Sequence, residues 1–291
     1  MKRSVKSHVA QGILCFIMFL LGFITLYPFW HVLMYSISDP IRAMTGGLFF
    51  IPRGFSVYGF EILFQTKQIF TAYGNSIFLL VVGTSVNVIF TALMAYPLSI
   101  KRFHGRNAIT MMAFFTMLFG GGMIPGYLLV KGLGLLDSLW ALILPGTISA
   151  WNMIIMKNYF QSIPASLEES ANIDGASQMT ILVRIIVPVS MPVIATIALF
   201  YGVGHWNSYF SAILYINSNS KITLPIYLRN LLNSTAMDQA TQAGVAVDTS
   251  AITPETMKMS TIVASVLPML IAYPFIQKYY VKGIMVGSIK G

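Results

Sequence analysis

Carboxylates are scarce in this chain, nine in all, and three of them, Glu168, Glu169 and Asp174, fall within the short run 163–177. Acids gathered this closely could serve catalysis or offer charge to another protein, and their neighbours favour the second use. Pro164 suits the first turn of a helix, and Glu168 and Glu169 stand near the N-terminal end of that helix, where the backbone dipole favours negative charge. Gly175 permits a left-handed or tight backbone, so the helix can stop there and another can begin. The spacing predicts the second helix over about 178–187, ending at Pro188, with Pro192 opening the next apolar stretch. Small side chains at Ser170, Ala171 and Ala176 leave room for a partner's backbone. A helix-turn-helix of this kind is a docking element rather than a catalytic one.

A second polar group, His205-Trp206-Asn207, lies inside an apolar stretch. A donor and an acceptor beside an aromatic ring offer a sugar both hydroxyl pairing and a stacking face, and Gly202 and Gly204 just before would let a helix or ligand approach. Asn75, Asn87 and Asn152 also interrupt apolar stretches, where an amide either pairs between helices or faces a water-filled path. Asn152 and Asn75 join His205, Trp206 and Asn207 as candidates for a solute route. Other chemistries lack their residues. The single Cys15 forbids an internal disulfide, and with four His leaves no Cys/His cluster at metal-ligand spacing. There is no G-x-x-x-x-G-K-[ST] phosphate loop for ATP, no G-x-S-x-G elbow and no carboxylate pair suited to hydrolysis.

The elements that must position these residues are membrane helices. Hydrophobic residues make up 56% of the chain and charged ones 9%, against about a quarter charged in an ordinary soluble domain. A net charge of +9 could suggest nucleic acid if the basic residues shared one soluble face; here they punctuate apolar stretches, and no nucleic-acid partner is expected. Crossing a hydrocarbon core of about 30 Å takes roughly 20 apolar helical residues. Six stretches qualify, at 12–35, 73–100, 108–130, 138–156, 192–216 and 259–279. The first is longer than a signal-peptide core of about 7–15 residues, so it reads as a retained anchor. Short cytoplasmic loops hold the excess of Lys and Arg, and the basic run at 101–106 and the residues near both ends place both termini in the cytoplasm. Tyr27, Trp30, Tyr35, Trp140, Tyr279 and Tyr280 are expected in interfacial belts. The polar outer loop 217–256 is either a plain connector or a packed segment, since 222–232 has an apolar pattern able to pack.

Glu169-Ser170-Ala171, then Gly175 after three intervening residues and Ile185-Ile186-Val187-Pro188 after nine more, resembles the EAA signature of ABC importer permeases, EAA-x3-G-x9-I-x-L-P. Ser170 replaces its middle Ala and Val187 its Leu. Phe119-Gly120-Gly121-Gly122-Met123-Ile124-Pro125, the run from Leu133-Gly134-Leu135-Leu136-Asp137-Ser138 to Leu144-Pro145, and the tail Gln277-Lys278-Tyr279-Tyr280-Val281-Lys282-Gly283 are similar to MalG-type carbohydrate permeases, most of all their LplC/YtcP-type branch, often associated with complex oligosaccharides. Trp206-Asn207 also matches the sugar-permease pattern, with His205 where an aromatic is expected.

The resemblance implies an all-α membrane protein with six transmembrane helices in a type I ABC importer permease fold. Residues 1–71 would form the N-terminal segment, first span and first outer loop. Residues 72–280 would form the permease domain, with coupling loop 157–190 and outer loop 217–256, and 281–291 the cytoplasmic tail. It implies a multi-pass protein of the bacterial inner membrane, in contact with lipid, that imports a sugar. Partners would be a second homologous permease, an extracytoplasmic solute-binding protein reached by the outer loop, and two cytoplasmic ATPase subunits that bind ATP and Mg, with no cofactor in this chain. The ATPase-coupling residues are then Glu168, Glu169, Ser170, Ala171, Asp174, Gly175, Ala176 and Pro188. The alternatives are a permease of this type for peptides, amino acids or another solute, and a secondary transporter, for which the spans hold almost no Asp or Glu to couple an ion; Asp39 and Asp137 lie near span ends.

Overall fold

A computed structural model describes residues 5–233 and 253–288. Lys2 and Arg3, the middle of the expected outer loop and residues 289–291 lie outside the described residues. The described chain is helical, with no strand beyond one isolated bridge between Ser38 and Phe55. In order the main helices are α1 (Val5–Ser36), α2 (Tyr58–Gln65), α3 (Lys67–Ser99), α4 (Arg106–Leu118), α5 (Met123–Gly132), α6 (Ala150–Gln161), α7 (Ala165–Ile173), α8 (Gln178–Val189), α9 (Met191–Trp206), α10 (Phe210–Tyr215), α11 (Leu224–Asn233) and α12 (Pro254–Ser288). The chain divides into two compact units, Met1–Phe70 with Leu228–Pro268, and Thr71–Tyr227 with Met269–Gly291.

In the first unit, α1 exposes large apolar side chains on every side, among them Phe16, Phe19, Leu26 and Phe29, as suits a helix solvated by lipid tails. Among its described side chains the buried ones lie at its end, where Met34 and Tyr35 are buried with Ala43 and Phe49. Tyr35 therefore belongs to a small core and not to an interfacial belt. Trp30 does stand partly exposed, its indole N–H donating to the Phe50 carbonyl at 2.9 Å. Asp39 fixes the chain's exit by accepting from the amides of Ile41 and Arg42 at 3.1 and 3.0 Å, an N-cap for the helical turn Pro40–Ala43. α2 buries Ile62 against Met257.

In the second unit, α3, α6, α8 and α9 share one core that includes Tyr96, Met153, Met156, Phe160, Ile186 and Ile197. α3 carries a π-turn at Leu79–Gly83, and there α9 comes close. A Cβ on Gly83 would lie 2.7 Å from His205 Nε2, and one on Gly202 would lie 3.1 Å from Leu80 Cδ1. Small residues permit such approach between membrane helices. Polar groups along the same seam pair with one another, because lipid offers no substitute for water. The Thr91 and Tyr201 hydroxyls bond at 2.8 Å, the Tyr201 oxygen accepts from the Ser149 amide at 2.8 Å, and the Asn87 amide donates to the Gly146 carbonyl at 3.3 Å.

Straight spans are fewer than expected. Among the described residues two helices, Gln11–Ser36 and Lys67–Ser99, are long and apolar enough to cross a membrane, and counting each bent pair as one span raises the total to at most five. The stretch 108–130 is broken by 116° between α4 and α5 at Phe119–Gly122, where Gly122 has φ +86°. The stretch 138–156 bends by 51° between the 3-10 turns of Leu139–Gly146 and α6. The stretch 192–216 stops at Trp206 and resumes as α10. The sixth stretch falls within the helical backbone of α12. Hydropathy averaged over a window registers apolar content and cannot see a glycine or serine that lets the backbone turn.

Candidate functional site

The segment between α6 and α9 forms two short helices, as the spacing predicts. α7 begins directly after Pro164, Glu168 lies in its first turn, and Asp174 caps its C-terminal end. Gly175 follows with φ +77° and open space around the position of a Cβ, so the demand on this residue is backbone freedom rather than room. Ser177 caps α8, accepting from the Thr180 amide at 3.2 Å. Pro188 does not end α8. A π-turn at Leu182–Ile186 widens the backbone just before it, so the helix passes the ring and breaks instead at Ser190, turning 86° into α9.

The segment has two faces. Ala171 is buried in the core that also receives Ala176, and the Glu168 side chain points inward too. The Tyr96 hydroxyl of α3 stands 3.3 Å from Glu168 Oε1 and 3.1 Å from Gln178 Oε1. Gln178 Nε2 donates to Asn172 Oδ1 at 2.9 Å, and Asn172 Nδ2 donates to the Glu168 carbonyl at 2.8 Å. Each amide thus fixes the orientation of the next, leaving oxygen acceptors toward Tyr96. This ring of hydrogen bonds latches both helices of the segment to the end of α3. The opposite face carries Glu169, Ser170, Ile173, Asp174 and Gly175, all exposed. Ile173 is 86% exposed, a large apolar side chain at the tip of a turn flanked by carboxylates. Sequence reasoning passed over Ile173 and Tyr96. Ile173 falls four residues after Glu169, on one helical face with it, and that spacing could have marked it.

The candidate solute-route residues sit on α3, α6 and the end of α9. Asn75 donates to the carbonyls of Ser220 and Ile222 at 3.0 and 2.8 Å and so fastens the start of α3 to the segment before α11. Asn152 is buried in α6, one turn after its cap Ser149. His205 and Trp206 are buried near the end of α9, His205 against Gly83. Asn207 is exposed and closes α9, its side chain donating to the Val203 carbonyl at 3.0 Å.

On the side of the unit that holds the connections 133–138 and 216–222, Asp137 makes a second latch. It has φ +54° and donates its amide to the Tyr215 carbonyl at 2.7 Å. Its carboxylate accepts from the amides of Asn217 and Ser218 at 3.0 and 2.9 Å and from the Ser218 hydroxyl, and Lys221 reaches both its carbonyl and its carboxylate. The Ser218 hydroxyl and amide, then the Asn217 amide, hold this carboxyl well below the usual carboxylate range, with Lys221 adding to the effect. The ion pair itself is partly exposed, so solvent screening leaves it a small contribution beside the hydrogen bonds. Among the described residues no group of His, Cys, Asp and Glu could hold a metal ion.

Comparison with known proteins places these features in context. Residues 80–286 match the family model described as binding-protein-dependent transport system inner membrane component. The chain is 45% identical over 280 residues to Protein LplC of Bacillus subtilis (strain 168), covering 95% of this chain and 94% of the relative. It is 43% identical over 289 residues to the polygalacturonan/rhamnogalacturonan transport system permease protein YtcP of the same organism, covering 99% and 100%. Its structure matches, at TM-score 0.89 and 32% identity over 96% of this chain and 99% of the other, a chain from the crystal structure of a bacterial ABC transporter involved in the import of the acidic polysaccharide alginate.

Proposed function

The chain belongs to the binding-protein-dependent transport system inner membrane component family, and from that premise we propose that it is a permease subunit of an ATP-driven oligosaccharide importer. It is a multi-pass, non-catalytic component of the inner membrane. The solute class is supported by the polygalacturonan/rhamnogalacturonan permease and the alginate importer, each similar over nearly the whole chain. Its partners are a second homologous permease, two cytoplasmic ATPase subunits that hold ATP and Mg, and an extracytoplasmic binding protein that delivers the sugar.

The observation that carries the mechanism is the two-faced segment Ala165–Ile173 with Gly175. Its outer face, Glu169, Ser170, Ile173 and Asp174, seats in a cleft of the ATPase, with Ile173 as the apolar anchor and the acids addressing the cleft's rim. Its inner face, Glu168 and Ala171, is fastened to α3 through Tyr96 and core packing. When the ATPase dimer closes, α7 and α8 move together as a lever on α3, which packs against α6 and α9, and the route opens to one side or the other by alternating access. Asn207 is the route candidate whose side chain is open to solute, whereas His205 holds the α3–α9 packing and Trp206 is buried beside it. Both termini and the basic run 101–106 face the cytoplasm, and the Asp137 latch faces outward.

Reconstitution with the binding protein and ATPase, followed by a screen of uronate and neutral oligosaccharides for stimulated ATP hydrolysis, tests the reading. At least one oligosaccharide is expected to stimulate hydrolysis several-fold. Stimulation by peptides or amino acids with no response to any glycan would contradict it.

A further inference from the structure

The end of α3 near the coupling segment borders an open groove of about 630 Å³ that no step above uses. Its lining is mainly apolar, with Leu93 and Pro97 along the last two turns of α3, Ile100 and Phe103 just beyond, and Met179 and Leu182 from α8. Leu93, Phe103 and Met179 are 38%, 39% and 56% exposed. Arg102 and His104 line the same groove, and Lys101 and Arg106 adjoin them in the chain. From Leu93 to Ser99 the helix rises about 9 Å, so in the orientation proposed above the apolar wall leads from the membrane to basic residues at its cytoplasmic edge. Water would leave the walls unsatisfied, a neutral sugar would make no use of the basic residues, and an acidic sugar would leave the apolar wall uncovered. An acyl chain beneath a phosphate satisfies both.

We propose that this groove binds an anionic phospholipid of the cytoplasmic leaflet, its phosphate at Arg102 and His104 and an acyl chain on the apolar wall. Basic pockets between membrane helices on the cytoplasmic side suit such headgroups. Tyr96 and Gln178 also line the groove, and they are the groups that latch the coupling segment to α3. Lipid in the groove therefore supports the latch, and coupling depends on anionic lipid. The inference rests on the orientation and coupling roles proposed above.

Native mass spectrometry of the assembled importer, titrated with phosphatidylglycerol or phosphatidylcholine, reads the site directly. The wild type should retain phosphatidylglycerol over phosphatidylcholine by roughly fivefold or more, on the order of what one basic side chain contributes at an anionic surface. Arg102→Gln with His104→Gln should remove that preference, and Leu93→Trp, which fills the groove and leaves the cations, should lower retention of both lipids. In nanodiscs, ATP hydrolysis stimulated by loaded binding protein should rise with phosphatidylglycerol in the wild type and not in the double variant. Equal retention of phosphatidylglycerol by wild type and double variant would overturn the proposal. So would displacement of the lipid by millimolar inorganic phosphate, which marks a simple anion site, or loss of the lipid when the ATPase assembles, which marks a protein interface. Absence of stimulation in every lipid would fault the transport reading instead.

Discussion

The latch between α3 and the proposed coupling segment converges on the Tyr96 hydroxyl. This group has one proton and two oxygen acceptors, Gln178 Oε1 at 3.1 Å and Glu168 Oε1 at 3.3 Å, so it donates to one at a time and either suffices. Tyr96→Phe removes the bond and leaves a buried ring of nearly the same shape, at a cost of about 1 kcal/mol. ATPase subunits should remain bound to the permease pair while sugar transported per ATP hydrolysed falls, because docking survives and transmission weakens. Glu168→Gln with Tyr96 in place can keep an acceptor oxygen toward the hydroxyl and should retain nearly normal coupling. Equal coupling ratios in wild type and Tyr96→Phe would show that the latch does not transmit. The acids and the glycine of this segment were legible from residue types alone. Which acid turns inward was not, because that depends on the phase of a short helix relative to a core: Glu168 and Ala171 share the inner face, Glu169 and Ile173 the outer.

At the scale of elements, α3 and α9 cross closely at Gly83, which faces His205. Gly83→Ala would place a Cβ within 2.7 Å of His205 Nε2, and overpacking of this kind costs about 1–3 kcal/mol. The variant should have a lowered unfolding temperature in detergent, and adding His205→Ala should recover stability and transport together. Recovery of stability with transport still absent would return His205 to the solute route. The Asp137 latch gives a pH statement. Its carboxyl titrates lower in the folded chain than unfolded, so its contribution is present above the ordinary carboxylate range and is lost only as pH falls through the depressed value. Between about pH 5 and about pH 8 the latch should therefore be constant, and Asp137→Asn should lower binding-protein-stimulated hydrolysis by the same factor at each pH in that window. A factor that varied strongly across it would assign the titration elsewhere. The apolar runs that carry these helices were plain in the sequence, and their breaks only in part. Gly120, Gly121 and Gly122 sit inside an unbroken apolar window, whereas Pro188 and Pro192 bracket the turn at Ser190, whose exact place follows from a π-turn that has no fixed residue signature.

For the whole molecule, orientation decides whether the coupling segment can meet an ATPase at all. Single cysteines placed at Ser4 or Ser288 after replacement of Cys15 should resist an impermeant thiol reagent in intact spheroplasts and react once the membrane is opened; labelling in intact spheroplasts would reverse the topology. Given that orientation, the proposed mechanism rests on the outer face of α7 and its turn. Ile173 offers an exposed apolar anchor, and truncating or charging such a hot spot typically costs 2 kcal/mol or more, a factor of about thirty in affinity. Gly175→Val strains the turn by forcing a β-branched residue to φ +77°, with no clash to blame for the effect. The decisive measurement is the amount of ATPase retained on the purified permease pair, read beside the hydrolysis stimulated by loaded binding protein, in Ile173→Glu and Gly175→Val. Both variants should lose most of the retained ATPase and nearly all stimulation while the permease pair stays folded and associated. Wild-type retention and stimulation in both would mean that this segment is not where ATP hydrolysis is converted into transport.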